Sequence, residues 1–163
     1  MNKSARKHPD AIGLGESRSI VTSFIGKQMF GLPILACNDI IRLPKIARVP
    51  LAPPEVAGVL NLRGRVVTAI DMRRRLGIEP RESGSTISVV VVHNGEWYSL
   101  LFDRVGEVIP VDKVVFEPNP PTLRAPLAAV SHCVAKLPEQ LMVILNISSV
   151  LSILSDSHAL VEA

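Results

Sequence analysis

Two parts of this chain repeat one another's pattern, and the repeat limits the fold more than any other feature. A shift of 68 residues lays Gln28-Met29-Phe30-Gly31-Leu32 on Glu96-Trp97-Tyr98-Ser99-Leu100 and Asp39-Ile40-Ile41 on Glu107-Val108-Ile109. A shift of 75 lays Ile70-Asp71-Met72 on Leu145-Asn146-Ile147 and Leu76-Gly77-Ile78 on Leu151-Ser152-Ile153. Each half therefore ends in a strand, an Asp or Asn suited to cap a helix, and a short amphipathic helix. The difference between the two shifts falls in or near the second proline-rich loop. Two small barrels of about five short strands each fit this pattern, because closing a sheet removes its exposed edges. Neither half buries much apolar surface alone, so the two must pack together.

Strand-length apolar runs cover Ser19 to Ile25, Gln28 to Ile34, Asp39 to Leu43, Val59 to Leu62 and Val66 to Ile70 in the first half. Pro33 points its run to an edge or a bulge. The paired Ile40 and Ile41 suggest burial on both faces. Pro44 to Pro54 reads as a loop, followed by a helical turn over Pro54 to Ala57. Glu79 to Ser85 joins the halves. Thr86 to Val92 and Glu96 to Phe102 flank Asn94-Gly95, a strong hairpin signal because both residues tolerate positive φ. Strands over Val105 to Val111 and Val114 to Phe116 follow, then a loop over Pro118 to Pro126. Leu127 to Ala135 and Gln140 to Leu145 read as a hairpin, and Asn146 to Leu154 as a short helix. The expected organisation is a flexible tail over 1–17, subdomains over about 18–82 and 83–155, and a C-terminal tail over 156–163.

Charge is uneven although the net is only +3. From Arg42 to Arg81 there are nine Lys/Arg against three Asp/Glu, while from Glu82 to Ala163 there are four against nine. A basic part and an acidic part suit directional association better than coating a nucleic acid. Aromatic residues are 4% of the chain, too few for the stacking platforms of single-stranded nucleic-acid binders. A small β-barrel nucleic-acid-binding module is thus the alternative reading, not the favoured one. Cys37 and Cys133 read as buried free thiols of a reducing compartment. Residues 1 to 17 lack the apolar region of a signal peptide, and no apolar run reaches membrane-spanning length, so the expected location is cytoplasmic. The histidines are too scattered for a metal site, and adjacent strand residues such as His132 and Cys133 point to opposite faces. No phosphate-binding glycine run or catalytic constellation is present, so the expectation is a protein without enzymatic activity, cofactor or metal.

The stretch from Gly58 to Ile78 carries the functional signal. It reads as strand, tight turn, strand and short helix, with Gly64 in the turn, Arg63 and Arg65 exposed beside it, and Asp71 as the helix cap. Arg73-Arg74-Arg75 reads as a solvated face. Strand alternation places one of Trp97 and Tyr98 inward and the other outward.

This stretch resembles the signature of the CheW family of chemotaxis coupling proteins, approximately G-V-x-N-L-R-G-x-V-x-P-V-x-D-L-R-x-x-L-G. The chain has Gly58-Val59-Leu60-Asn61-Leu62-Arg63-Gly64, Val66, Asp71-Met72-Arg73 and Leu76-Gly77. Thr68 stands near the family's Pro, and Met72 replaces Leu. Phe102-Asp103-Arg104-Val105 with Val108, and Val143 to Ile147, also resemble the family, and the likeness covers residues 18 to 155. Val130 to Leu137 departs from it, with Ser131-His132-Cys133 where the family commonly has glycines. The resemblance implies a mainly β fold of two packed five-stranded SH3-like β-barrel subdomains with short helices. It implies an adaptor that bridges chemoreceptor (methyl-accepting) cytoplasmic tips to the regulatory domain of the CheA histidine kinase, with other CheW-like domains as further partners and no membrane insertion. Such a protein is recruited to receptor arrays at the inner face of the membrane. It places Cys37, Asp39, Gly58, Asn61, Leu62, Arg63, Gly64 and Val105 at coupling and partner-contact positions, with Asp39 and Arg63 as a surface ion pair that orients the arginine.

Overall fold

The computed structural model describes residues 14–42, 44–80, 84 and 86–161. Most of the expected N-terminal tail, part of the segment joining the halves, and the last two residues lie outside them. In the first half the strands are β1 (Ser19–Ile25), β2 (Gln28–Pro33), β3 (Cys37–Arg42), β4 (Val56–Leu62) and β5 (Arg65–Asp71), followed by helix α1 (Met72–Arg75). The second half holds β6 (Ile87–His93), β7 (Glu96–Phe102), β8 (Arg104–Pro110), β9 (Val115–Glu117), helix α2 (Ala125–Val130), β10 (Ser131–Lys136), β11 (Leu141–Leu145) and helix α3 (Ile147–Val161).

The strands form two sheets, ordered β8-β1-β2-β11-β10-β9 and β3-β6-β7-β5-β4. The architecture is mainly β with two packed SH3-like units, as expected, but each unit is an open sheet and one of them has six strands. The repeat is real in three dimensions. The 68-residue shift carries β1, β2 and β3 onto β6, β7 and β8, and the 75-residue shift carries β4, β5 and α1 onto β10, β11 and α3. Applied to the five-stranded order, these shifts reproduce the order β8-β1-β2-β11-β10. The sheets do not divide near residue 82, however. Each takes a hairpin from one half and the rest of its strands from the other, four in the six-stranded sheet and three in the five-stranded one, joined by the parallel pairs β2–β11 and β5–β7. The extra strand β9 has a one-residue counterpart. Glu117 pairs with Val134 as Ala47 bridges to Val59, and Val134 lies 75 residues beyond Val59.

Side-chain alternation along these strands builds three apolar layers. The largest lies between the sheets and draws on both, with Phe30 and Leu32 from one and Leu100 and Phe102 from the other. Phe30 and Phe102 meet at a centroid distance of 6.2 Å in a tilted aromatic contact. A second layer lines the six-stranded sheet with Ile20, Phe24, Met29, Met142 and Ile144. A third, smaller layer lines the five-stranded sheet with Leu60, Val67 and Ala69. Leu14 belongs to the second layer, and the buried Ser17 accepts the Leu35 N–H on its Oγ at 3.2 Å, so residues 14–17 are part of the fold.

Several local readings change. Leu127 to Val130 is helical: Pro126 sits in the first turn, and Leu127 and Val130 bury together at the i, i+3 spacing of a helix. Val56 begins a strand, after a turn in which its N–H donates to the Pro53 carbonyl at 2.9 Å. Pro33 ends an interior strand rather than an edge, because β11 pairs only with Met29 to Gly31 and needs no N–H from it. β3 is the edge, so Ile40 stays 43% exposed instead of buried. Helix α3 continues past Leu154 to Val161. Trp97 and Tyr98 do face opposite sides, but both pack, Tyr98 against the layer between the sheets and Trp97 against the smallest layer.

Candidate functional site

The tip of the β4–β5 hairpin is a two-residue turn. Leu62 pairs with Arg65, and Arg63 and Gly64 between them take positive φ of 52° and 82°. This is the turn whose twist matches a right-handed hairpin. The cost of placing arginine in that conformation is met by Asn61, whose Oδ1 accepts the Gly64 N–H at 2.9 Å. Leu62 is half-buried against the smallest apolar layer, which anchors the base of the turn. The turn thus holds Arg63 outward, with its side chain 84% exposed.

Arg63 Nη2 donates to Asp39 Oδ2 at 3.4 Å. Asp39 is fixed in turn by its other oxygen, which accepts the Ile40 N–H at 2.8 Å. The two belong to opposite edges of the five-stranded sheet, so the sheet curls enough for its edges to approach. Beyond the turn, the Arg65 guanidinium lies 4.4 Å from the centroid of the Trp97 ring, a cation–π stack that the sequence reading missed. Its signal was present in the 4% aromatic content, since the single tryptophan of this chain stands in the strand next to β5. The result is an exposed guanidinium braced by a carboxylate, beside an indole face and the 69% exposed Val66. Charge, an aromatic face and an exposed apolar side chain side by side are the chemistry by which a protein surface can contact a partner.

The other sequence candidates support this surface or lie apart from it. Cys37 shares β3 with Asp39, but a bulge between them puts Cys37 opposite Val91 and Asp39 opposite Val90. The thiol therefore packs on the layer between the sheets, where it donates to the Pro33 carbonyl at 3.5 Å, and burial pushes its pKa up to about 12. Gly58 is buried at a bulge with φ 148°. The Ala47 backbone crosses over it, exchanging two hydrogen bonds of 2.8 Å with Val59, and a Cβ on Gly58 would lie 2.2 Å from the Ala47 carbonyl oxygen. Val105 is in the other sheet, paired with Ser23 and packed between the sheets. Cys37 and Val105 are equivalent under the 68-residue shift, which explains why both are half-buried strand-edge positions. The structure thus brings Asp39, Asn61, Leu62, Arg63 and Gly64 together and sets Cys37, Gly58 and Val105 behind or away from them.

The arginine run is not a solvated face. Arg73 pairs with Asp103, and Arg75 donates to the Val150 and Ser149 carbonyls at 2.9 and 2.8 Å. Arg74 alone stays on the surface, near Asp71 at 3.8 Å, while Asp71 caps α1 by accepting the Arg73 and Arg74 N–H groups. Arg73 and Arg75 are thus held inside the fold, while Arg42, Lys45, Arg48, Arg63, Arg65 and Arg74 remain exposed. Among the described residues no cluster of His, Cys, Asp or Glu is arranged to hold a metal ion, and no helix is long and apolar enough to cross a membrane.

Comparison with known proteins converges on one family. Residues 19–155 match the model of the CheW-like domain. The chain is 30% identical over 128 residues to a chemotaxis protein CheW of Helicobacter pylori, covering 78% of this chain and 77% of that protein. It is 26% identical over 152 residues to the CheW of Treponema pallidum, covering 90% and 89%. Among solved structures, the scaffolding protein TtCheW from Thermoanaerobacter tengcongensis superposes with a TM-score of 0.69 at 28% identity, over 80% of this chain and 89% of that one.

Proposed function

The chain belongs to the CheW-like family, and we propose that it works as a non-enzymatic chemotaxis adaptor in the cytoplasm, joining the regulatory domain of a CheA-type histidine kinase to the cytoplasmic tips of chemoreceptors. The observation that carries this reading is the family match across residues 19–155, which spans both sheets and both copies of the repeat. The mechanism is simultaneous binding. One adaptor holds two partners, and repeated adaptors in an array turn individually weak contacts into stable recruitment through effective concentration. Within this reading the Arg63 turn, braced by Asp39 and shaped by Asn61, Leu62 and Gly64, is a contact surface. Cys37, Gly58 and Val105 hold the strands that present such surfaces. A guanidinium held in a fixed direction gives specificity and encounter rate more than raw affinity. Pull-down of the purified protein with an isolated kinase regulatory domain, and separately with a receptor cytoplasmic fragment, tests the proposal. Capture of each partner is expected, and capture of neither overturns it.

A further inference from the structure

Asp103 is the single residue between β7, in the five-stranded sheet, and β8, in the six-stranded sheet. Its N–H donates to the Phe24 carbonyl at 2.9 Å, and its Oδ2 accepts the Gly26 N–H at 2.7 Å, so it grips the β1–β2 turn of the six-stranded sheet. Arg73 reaches the same carboxylate from α1, which extends β5 of the five-stranded sheet. Its Nε and Nη2 donate to Oδ1 and Oδ2 at 3.1 and 2.5 Å, and its Nη1 donates to the Glu79 carbonyl at 2.6 Å. The two side chains are 18% and 12% exposed. The repeat does not copy this pair: the shifts carry Arg73 onto Ser148 and bring Leu35 to Asp103.

The layer between the sheets is mostly aliphatic, and apolar contact is cohesive but non-directional. A bidentate guanidinium–carboxylate pair fixes distance and angle together. Partly buried pairs add little net stability over an apolar pair of similar shape. We propose that Arg73 and Asp103 are a positioning pair that sets how the two sheets are oriented on each other, and that the pair is neither a partner contact nor a main source of stability. This concerns the free protein and stands whether or not the adaptor reading holds.

The test is the distance between nitroxide labels at Val66→Cys and Val108→Cys, 69% and 52% exposed and one on each sheet, in a Cys37→Ala, Cys133→Ala background. The parent should give one narrow distance distribution. Arg73→Met with Asp103→Leu should keep the parent circular dichroism and urea midpoint while the distribution widens at least about twofold. Arg73→Lys, which keeps the charge without the fork, should widen it as well. A parent-like distribution in either folded variant overturns the proposal. Failure of the apolar pair to fold contradicts its stability clause, and Arg73→Lys then decides the positional one.

Discussion

Arg63, at the tip of the β4–β5 hairpin, meets Asp39, on the opposite edge strand of the same sheet, at 3.4 Å. The pair links two edges that share no backbone hydrogen bond. With the arginine side chain 84% exposed, it contributes at most about 1 kcal/mol to stability. Arg63→His and Arg63→Ala should therefore leave far-UV circular dichroism unchanged and move the urea midpoint only slightly. Both should weaken capture of at least one partner in the pull-down. Gross unfolding of either variant would make Arg63 a structural residue.

Gly58→Ala acts differently. The added Cβ meets the Ala47 carbonyl oxygen and forces a residue with a side chain to φ 148°. The loss should exceed about 1 kcal/mol, since substitution at positive φ alone reaches that scale. Urea denaturation reads it as a lower midpoint, and a wild-type midpoint would show that Ala47 does not cross β4 as described.

Tyr98 is the only tyrosine of the chain, so its titration can be followed directly by ultraviolet absorbance. Burial, and then the hydrogen bond that its hydroxyl donates to Glu96 at 2.7 Å, push its pKa up to about 12. The folded state favours the protonated phenol. The associated stability is fully present below the ordinary value near 10 and is lost as pH rises from there toward 12. Tyr98→Phe should flatten that alkaline loss. A tyrosine midpoint near 10 in the folded protein would contradict the assignment.

Cys37 should resist alkylation. With its pKa pushed up to about 12, only about one thiol in ten thousand is ionised at pH 8, and the thiolate is the reactive form. Iodoacetamide at pH 8 should label the native protein far more slowly than the urea-unfolded chain, as followed by mass spectrometry. Labelling of Cys37 at equal rates in both states would place its thiol in solvent.

What the sequence made legible is local. β1 and β7 run over the residues expected of them, the Asn94-Gly95 turn has both residues at positive φ, and Asp71 caps α1, because each rests on chemistry within a few residues. The 68- and 75-residue shifts also survive as a symmetry of the sheets. Strand exchange between the halves was not legible, since a repeat says which strands are alike and not which ones pair. The same limit hid the arginine run: Asp103, which pairs with Arg73, and Val150, which accepts from Arg75, lie 30 and 75 residues away. In the candidate site, the Arg63 turn was readable from Asn61 to Gly64, whereas the bulge that turns Cys37 away from Asp39 leaves no mark in the alternation of β3.

The central claim is that one molecule bridges two partners, and co-sedimentation measures it most directly. Vesicles carrying receptor cytoplasmic fragments are mixed with a kinase containing its regulatory domain, with and without this protein, and the pelleted kinase is quantified. The account predicts that kinase pellets with the receptor vesicles in proportion to added protein, and that Arg63→His lowers the yield. Kinase recovery that does not depend on the protein would contradict it.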